Sequence, residues 1–183
     1  MSFIYILICL VVIILIWFIS AYNVLVRYRN MAREAFSTMD VYMKKRYDLI
    51  PNLVETVKGY AKHESGTLEK VIKARNSAAS ATTVEGRAES ENALTGTLKS
   101  LFALAEAYPD LKANTNFVDL QKQLQSVEAD IANSRKYYNA VVRDYNIKIE
   151  SFPSSIVASM FAFRREQMFE INEAERENVK VQF

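Results

Sequence analysis

The one histidine, His63, is followed by Glu64, which is how the helical zinc-protease motif begins. That motif needs a second imidazole four residues on, so that both rings reach one metal from one helix face, and position 67 is Thr67. A Ser-His-Asp or Cys-His site would have to use the same His63, and no Gly-x-Ser-x-Gly elbow accompanies it. The one cysteine, Cys9, lies inside an apolar run, which excludes a disulfide or a thiolate metal cluster within one chain. Gly59, Gly66, Gly86 and Gly96 are scattered singly, so no loop can bring several backbone donors to a phosphate. A carboxylate-bridged metal site in a bundle wants Glu-x-x-His on two helices, which one histidine cannot supply. No catalytic, cofactor or metal residue is therefore expected, and a net charge of +2 gives no footprint for nucleic acid.

Polar residues on apolar stripes carry the remaining chemistry. Arg46 falls near the stripe of a first helix and Arg75 on that of a second, while Asn139 and Asn146 lie beside Tyr138 and Tyr145 on a third. A buried guanidinium must be paired, and Asp40 and Asp48 are the candidate partners. These six residues read as a polar network that fixes helix register, with a ligand or partner site as the alternative. Arg27, Arg29 and Arg33 follow the apolar run closely enough to meet anionic lipid headgroups.

The elements that must position these groups are helices, since only four Gly and three Pro interrupt 183 residues. From Phe3 to Tyr22 there is no charge, enough helix to cross a hydrocarbon core of about 30 Å. Trp17, Phe18 and Tyr22 suit the headgroup layer at its end. Without a basic n-region or a small-x-small cleavage site, the run reads as a retained signal anchor. Three arginines on its C-terminal flank place the N-terminus outside and the remainder in the cytoplasm.

The first helix should continue out of the membrane to about Lys62, kinked near Pro51, with Ala35, Met39, Met43, Ile50, Leu53, Val57 and Tyr60 as its stripe. A second, starting at Leu68, Ile72, Arg75 and Ala79, is interrupted by the polar residues 80–86 and resumes through Leu94, Leu98 and Leu101 toward Tyr108. The third has a coiled-coil-like stripe from Phe117 to Phe152 and a length of about 50 Å. The expected fold is all-α: a transmembrane helix (1–23) continuing into an elongated antiparallel bundle of three long helices plus a short C-terminal helix (24–163), then a charged tail (164–183).

Tyr22-Asn23 with Arg29, Asp40-Val41, the run Lys44 to Glu55 and His63-Glu64 together resemble the signature of LemA family membrane proteins. Ala74-Arg75, Ala105 to Asn114, Ser134-Arg135-x-x-Tyr138-Asn139, Tyr145-Asn146 and Phe152-Pro153 follow that family's later blocks in order. Phe36 stands where the family usually has Trp, and Ala162 where it usually has Gly. The resemblance implies a bacterial membrane protein with a long antiparallel bundle. It supplies no reaction, and the family's genes often neighbour those of membrane metalloproteases.

The expected function is non-enzymatic: a membrane-anchored scaffold or adaptor that self-associates or binds an envelope protein. The alternatives are a regulator or cofactor of a membrane protease and an organiser of anionic lipid. If the first helix leaves the bilayer, the second returns and the third leaves again, residues 154–163 lie at the far end of the bundle. Ile156, Val157, Met160, Phe161 and Phe163 are there either a partner surface building a homo-oligomer or a docked strip of core.

Overall fold

The computed structural model describes residues 2–169, and the tail beyond Phe169 lies outside them. It has six helices and no strand among the described residues: α1 (Ser2–Tyr60), α2 (Ser65–Ser80), α3 (Val84–Ala105), α4 (Pro109–Lys112), α5 (Thr115–Glu150) and α6 (Ser154–Met160). The chain divides into two compact units. One comprises the described residues up to Ser37 together with Lys136–Met168, and the other is built on Thr38–Arg135.

α1 is a single helix of 59 residues, apolar and exposed at its start. From Leu25 onward, steps of three, four and seven bury Leu25, Ala32, Ala35, Met39, Met43, Arg46, Ile50, Leu53 and Val57, so Arg46 occupies a core position in a stripe that is otherwise apolar. The helix passes through Pro51 without ending. Proline has no amide proton for the carbonyl four residues back, which is that of Tyr47, and Arg75 Nε donates to this oxygen at 3.2 Å. The guanidinium of α2 thus replaces the donor that Pro51 lacks.

In the Thr38–Arg135 unit the expected second helix is in fact two. Ala81 and Thr83 are extended, Thr83 Oγ1 accepts from the Gly86 amide at 3.1 Å to cap α3, and α2 packs back on α3 as a hairpin. A Cβ at Gly86 would meet that hydroxyl at 2.9 Å, so a larger residue there would have to move the capping side chain. Arg87 ties the turn down by donating to the Ala81 carbonyl at 2.9 Å and pairing with Asp40. Polar residues 80–86 therefore reverse the chain instead of merely interrupting a helix. α4 buries Leu111, and Asn114 caps α5 by accepting from the Phe117 amide while donating to Tyr60.

In the first unit α5 runs antiparallel to α1, with Tyr138 beside Phe36 and Tyr145 in one cluster with Leu25. Residues 154–163 consequently do not lie far from the apolar run, as a three-helix count required. They pack against its end, with Phe161 4.7 Å from Tyr22 and 5.9 Å from Phe18 between ring centroids.

Candidate functional site

Two constellations of side chains gather what the sequence offers. The first lies in the Thr38–Arg135 unit around Arg46, which is 1% exposed. Its Nη1 donates to Glu128 Oε1 at 2.5 Å and to Thr95 Oγ1 at 3.2 Å, and its Nη2 to Glu91, whose other oxygen accepts from the Tyr47 hydroxyl. One cation from α1 therefore meets carboxylates from α3 and α5. Withdrawing a charge from water is unfavourable unless geometry and hydrogen bonds compensate, and here a neutral hydroxyl on each side shares the load. Burial raises the Tyr47 phenol above its ordinary range against the opposing field of Arg46, so Tyr47 stays a donor at neutral pH.

The sequence-derived network is only partly assembled. Arg46 is buried as expected, but its partners are Glu91 and Glu128, not Asp40 or Asp48. Asp40 pairs with Arg87, and Asp48 makes a solvent-exposed pair with Lys44 at 2.9 Å. Arg75, half-buried, donates to the Tyr47 carbonyl and to Asn76 Oδ1, not to Asp40 or Asp48. Glu91 could have been found, because it precedes Leu94, Leu98 and Leu101 at the spacing of one stripe, and Glu128 follows Leu124 by four.

The second constellation lies in the first unit. Leu25, Tyr145, Ile149, Val157, Ala158 and Phe163 form a buried cluster, and Phe18, Ala21, Tyr22, Val26 and Tyr28 pack against it. α6 ends in a Schellman turn: the Phe163 amide donates to the Ala158 carbonyl at 2.9 Å and the Ala162 amide to that of Ser159 at 3.3 Å. This turn requires a left-handed residue, and Ala162 has φ of 53°. The glycine usual in the resembled family would satisfy it without a Cβ penalty. The turn throws Phe163 onto Leu25 and under the Arg29 guanidinium, 4.9 Å from the ring centre. Of the three arginines expected at headgroups, Arg29 is half-buried on this ring, while Arg27 and Arg33 are exposed.

Beyond the turn, Glu166 exchanges two backbone hydrogen bonds with the Asn146 amide, at 2.9 and 3.0 Å, and the Tyr138 hydroxyl donates to the Gln167 carbonyl at 2.7 Å. Burial, then the nearby Glu166 carboxylate, pushes the Tyr138 phenol up to about 12. Asn146 is thus a clamp on the segment after α6, and Asn139 is half-buried beside it on α5. Of the residues expected as a partner surface, Val157 and Phe163 are core, whereas Ile156, Met160 and Phe161 are exposed.

Among the described residues no three His, Cys, Asp or Glu side chains converge as a metal site. An open groove of about 870 Å³ lies between α1 and α2, lined by Val54, Leu68 and Ile72 together with lysines and glutamates.

These features define a class: a helical bundle protein whose N-terminal helix is apolar and long enough to cross a membrane. The chain belongs to the LemA family, whose profile matches residues 35–183. It is similar to Protein LemA of Metamycoplasma hominis, 26% identical over 88% of this chain and 74% of that one. It also resembles the magnetosome protein MamQ of Magnetospirillum gryphiswaldense at 24% identity over 81% of this chain and 64% of that one. A further relative, magnetosome protein MamQ 2 of Paramagnetospirillum magneticum, is 32% identical over 40% of this chain and 27% of its own length.

Proposed function

We propose that the chain is a non-enzymatic, membrane-anchored scaffold that holds a helical bundle at a membrane surface for self-association or for binding an envelope protein. The observation that carries this reading is the continuity of α1. The apolar segment and the residues that pack on α5 and α6 in the same unit are one helix, so no flexible linker separates anchor from bundle. A tethered enzyme or a ligand-capturing domain gains reach from a linker, whereas a scaffold gains from a fixed presentation. The polar core agrees with this role, because Arg46 bonds to Thr95, Glu128 and Glu91 on other helices of its own unit and so fixes their register. Neither family name states a reaction. Arg27, Arg29 and Arg33 on one flank of the apolar run favour a cytoplasmic bundle with the N-terminus outside.

Photo-crosslinking from exposed bundle positions in intact bacterial membranes, followed by mass spectrometry, tests the role. A species of fixed stoichiometry, either with itself or with one envelope protein, is expected. Recovery of uncrosslinked monomer at every position overturns it. A protease-sensitive reporter at the C-terminus should survive in spheroplasts, and its digestion without lysis would reverse the orientation.

A further inference from the structure

α6 has two faces of different fate. Val157 and Ala158 point into the cluster with Leu25, whereas Ile156 is 48% exposed, Met160 66%, and Phe152, in the turn ahead of the helix, 82%. Phe161, 48% exposed, continues that open face while its ring touches Phe18 and Tyr22. Large apolar groups left open on a short helix and on the turns that flank it mark a surface that something covers.

What covers it follows from the residues it adjoins. Phe18 and Tyr22 are the last aromatic groups of the charge-free run, and Asn23 and Arg27 follow them. On a helix that crosses a bilayer, such rings sit where acyl chains give way to headgroups. Side chains in contact with those rings share their depth. The geometry points to α6 as a second membrane contact: Phe152, Ile156, Met160 and Phe161 lie in the lipid of the leaflet that Phe18 and Tyr22 reach, with the helix flat in the interface.

The pattern around the face fits a lipid surface. Ser154, Ser155 and Ser159 interleave the apolar positions, and Arg164 and Arg165 follow Phe163 immediately, Arg165 being paired with Glu150 at 2.9 Å. Interfacial helices show this combination of an apolar face, small polar residues and adjoining cations for the headgroups. A spanning helix alone leaves its emerging turn free to tilt and rotate, and side-chain anchors in the interface restrict both. Here the restricting anchor belongs to a segment more than a hundred residues later, packed on Phe18 and Tyr22 within the same unit.

This inference rests on the reading that the apolar run of α1 spans the membrane, and the test keeps the two apart. The full chain with Cys9→Ser is labelled with a bimane fluorophore at one introduced cysteine, in vesicles of phosphatidylcholine and phosphatidylglycerol carrying brominated acyl chains. Labels on Ile156→Cys and Met160→Cys should be quenched several-fold more than a label on Ser100→Cys, and best by bromines near the headgroups. A label on Val12→Cys, in the apolar run, should be quenched by bromines deep in the chains. Quenching at position 12 with none at 156 and 160 overturns the α6 contact and leaves the anchor standing. Loss of quenching at position 12 as well overturns the spanning reading beneath it. Mutual cross-linking of 156 and 160 between copies, without quenching, would assign the face to a second copy and refute the lipid contact.

Discussion

The two compact units solve the same packing problem with opposite chemistry. In the Thr38–Arg135 unit the stripes of α1, α3 and α5 carry Arg46, Glu91 and Glu128, so charge lies inside and is neutralised across helices. In the other unit the corresponding interior is aliphatic and aromatic, and its polar contribution is a clamp of Tyr138 and Asn146 on backbone groups. A charge pair tolerates one register, because a shift of one residue would strand a carboxylate in apolar surroundings. Aliphatic side chains tolerate several arrangements, so the second unit takes its specificity from where backbone donors and acceptors fall.

That contrast can be broken most strongly at Glu91. Glu91→Leu leaves the Arg46 guanidinium with only partly exposed Glu128 as its anion and should destabilise the chain by about 3–5 kcal/mol. Arg46→Leu with Glu91→Leu should recover most of the loss. Urea unfolding in detergent micelles measures both, and a double variant as unstable as Glu91→Leu alone would show that the pair does more than neutralise itself.

The clamp unit should respond to alkali. The Tyr138 phenol sits near 12 in the folded chain against an ordinary value of about 10, so the folded state favours the protonated form. Its contribution is fully present below about pH 10 and disappears as pH rises through about 12, a loss of about 2–3 kcal/mol. Tyr138→Phe should flatten that limb of the stability profile, and denaturation midpoints on either side of about pH 11 would reveal the change in slope. An unchanged slope would mean that Tyr138 does not ionise in that window.

A smaller effect separates backbone from charge in the Arg46 unit. Arg75→Met strands the Tyr47 carbonyl and should cost about 1–2 kcal/mol. Because Pro51→Ala restores an amide to that oxygen, the same substitution in the Pro51→Ala background should cost about 1 kcal/mol less. Equal losses in both backgrounds would disconnect Arg75 from the proline. The smallest change is a gain: Ala162→Gly relieves the left-handed alanine of the Schellman turn and should raise stability by up to about 1 kcal/mol. A loss at this position would show that the turn is not strained.

The helices themselves were legible. Stripes at three- and four-residue spacing marked α1 and α5, and Pro109 with Asn114 marked the turn between α3 and α5. The reversal at 81–83 was not. Thr82-Thr83 with Gly86 reads equally as an interruption or a hairpin until packing decides, because a capping threonine starts a helix in any direction. Arg46 was legible as a buried cation from its stripe. Its partners are less legible: Asp40 and Asp48 are the acids on its own helix, whereas a core position faces neighbouring helices and takes its anions from them.

The pairing of Asn146 with Glu166 has a consequence of its own. A side-chain amide has the same donor and acceptor as a peptide group, so Asn146 grips the chain as a neighbouring strand would, reading main chain and ignoring what hangs from it. Position 166 is therefore held without being specified. Any residue with a backbone amide proton can stand there and keep both bonds, proline alone excepted, while position 146 has no such freedom. The Glu166 carboxylate takes no part in these two bonds; its field adds to burial, the larger cause, in raising the phenols of Tyr138 and Tyr145. Along this stretch the fold is indifferent to the sequence it fastens, and a lineage can alter the residue while the attachment stays in place.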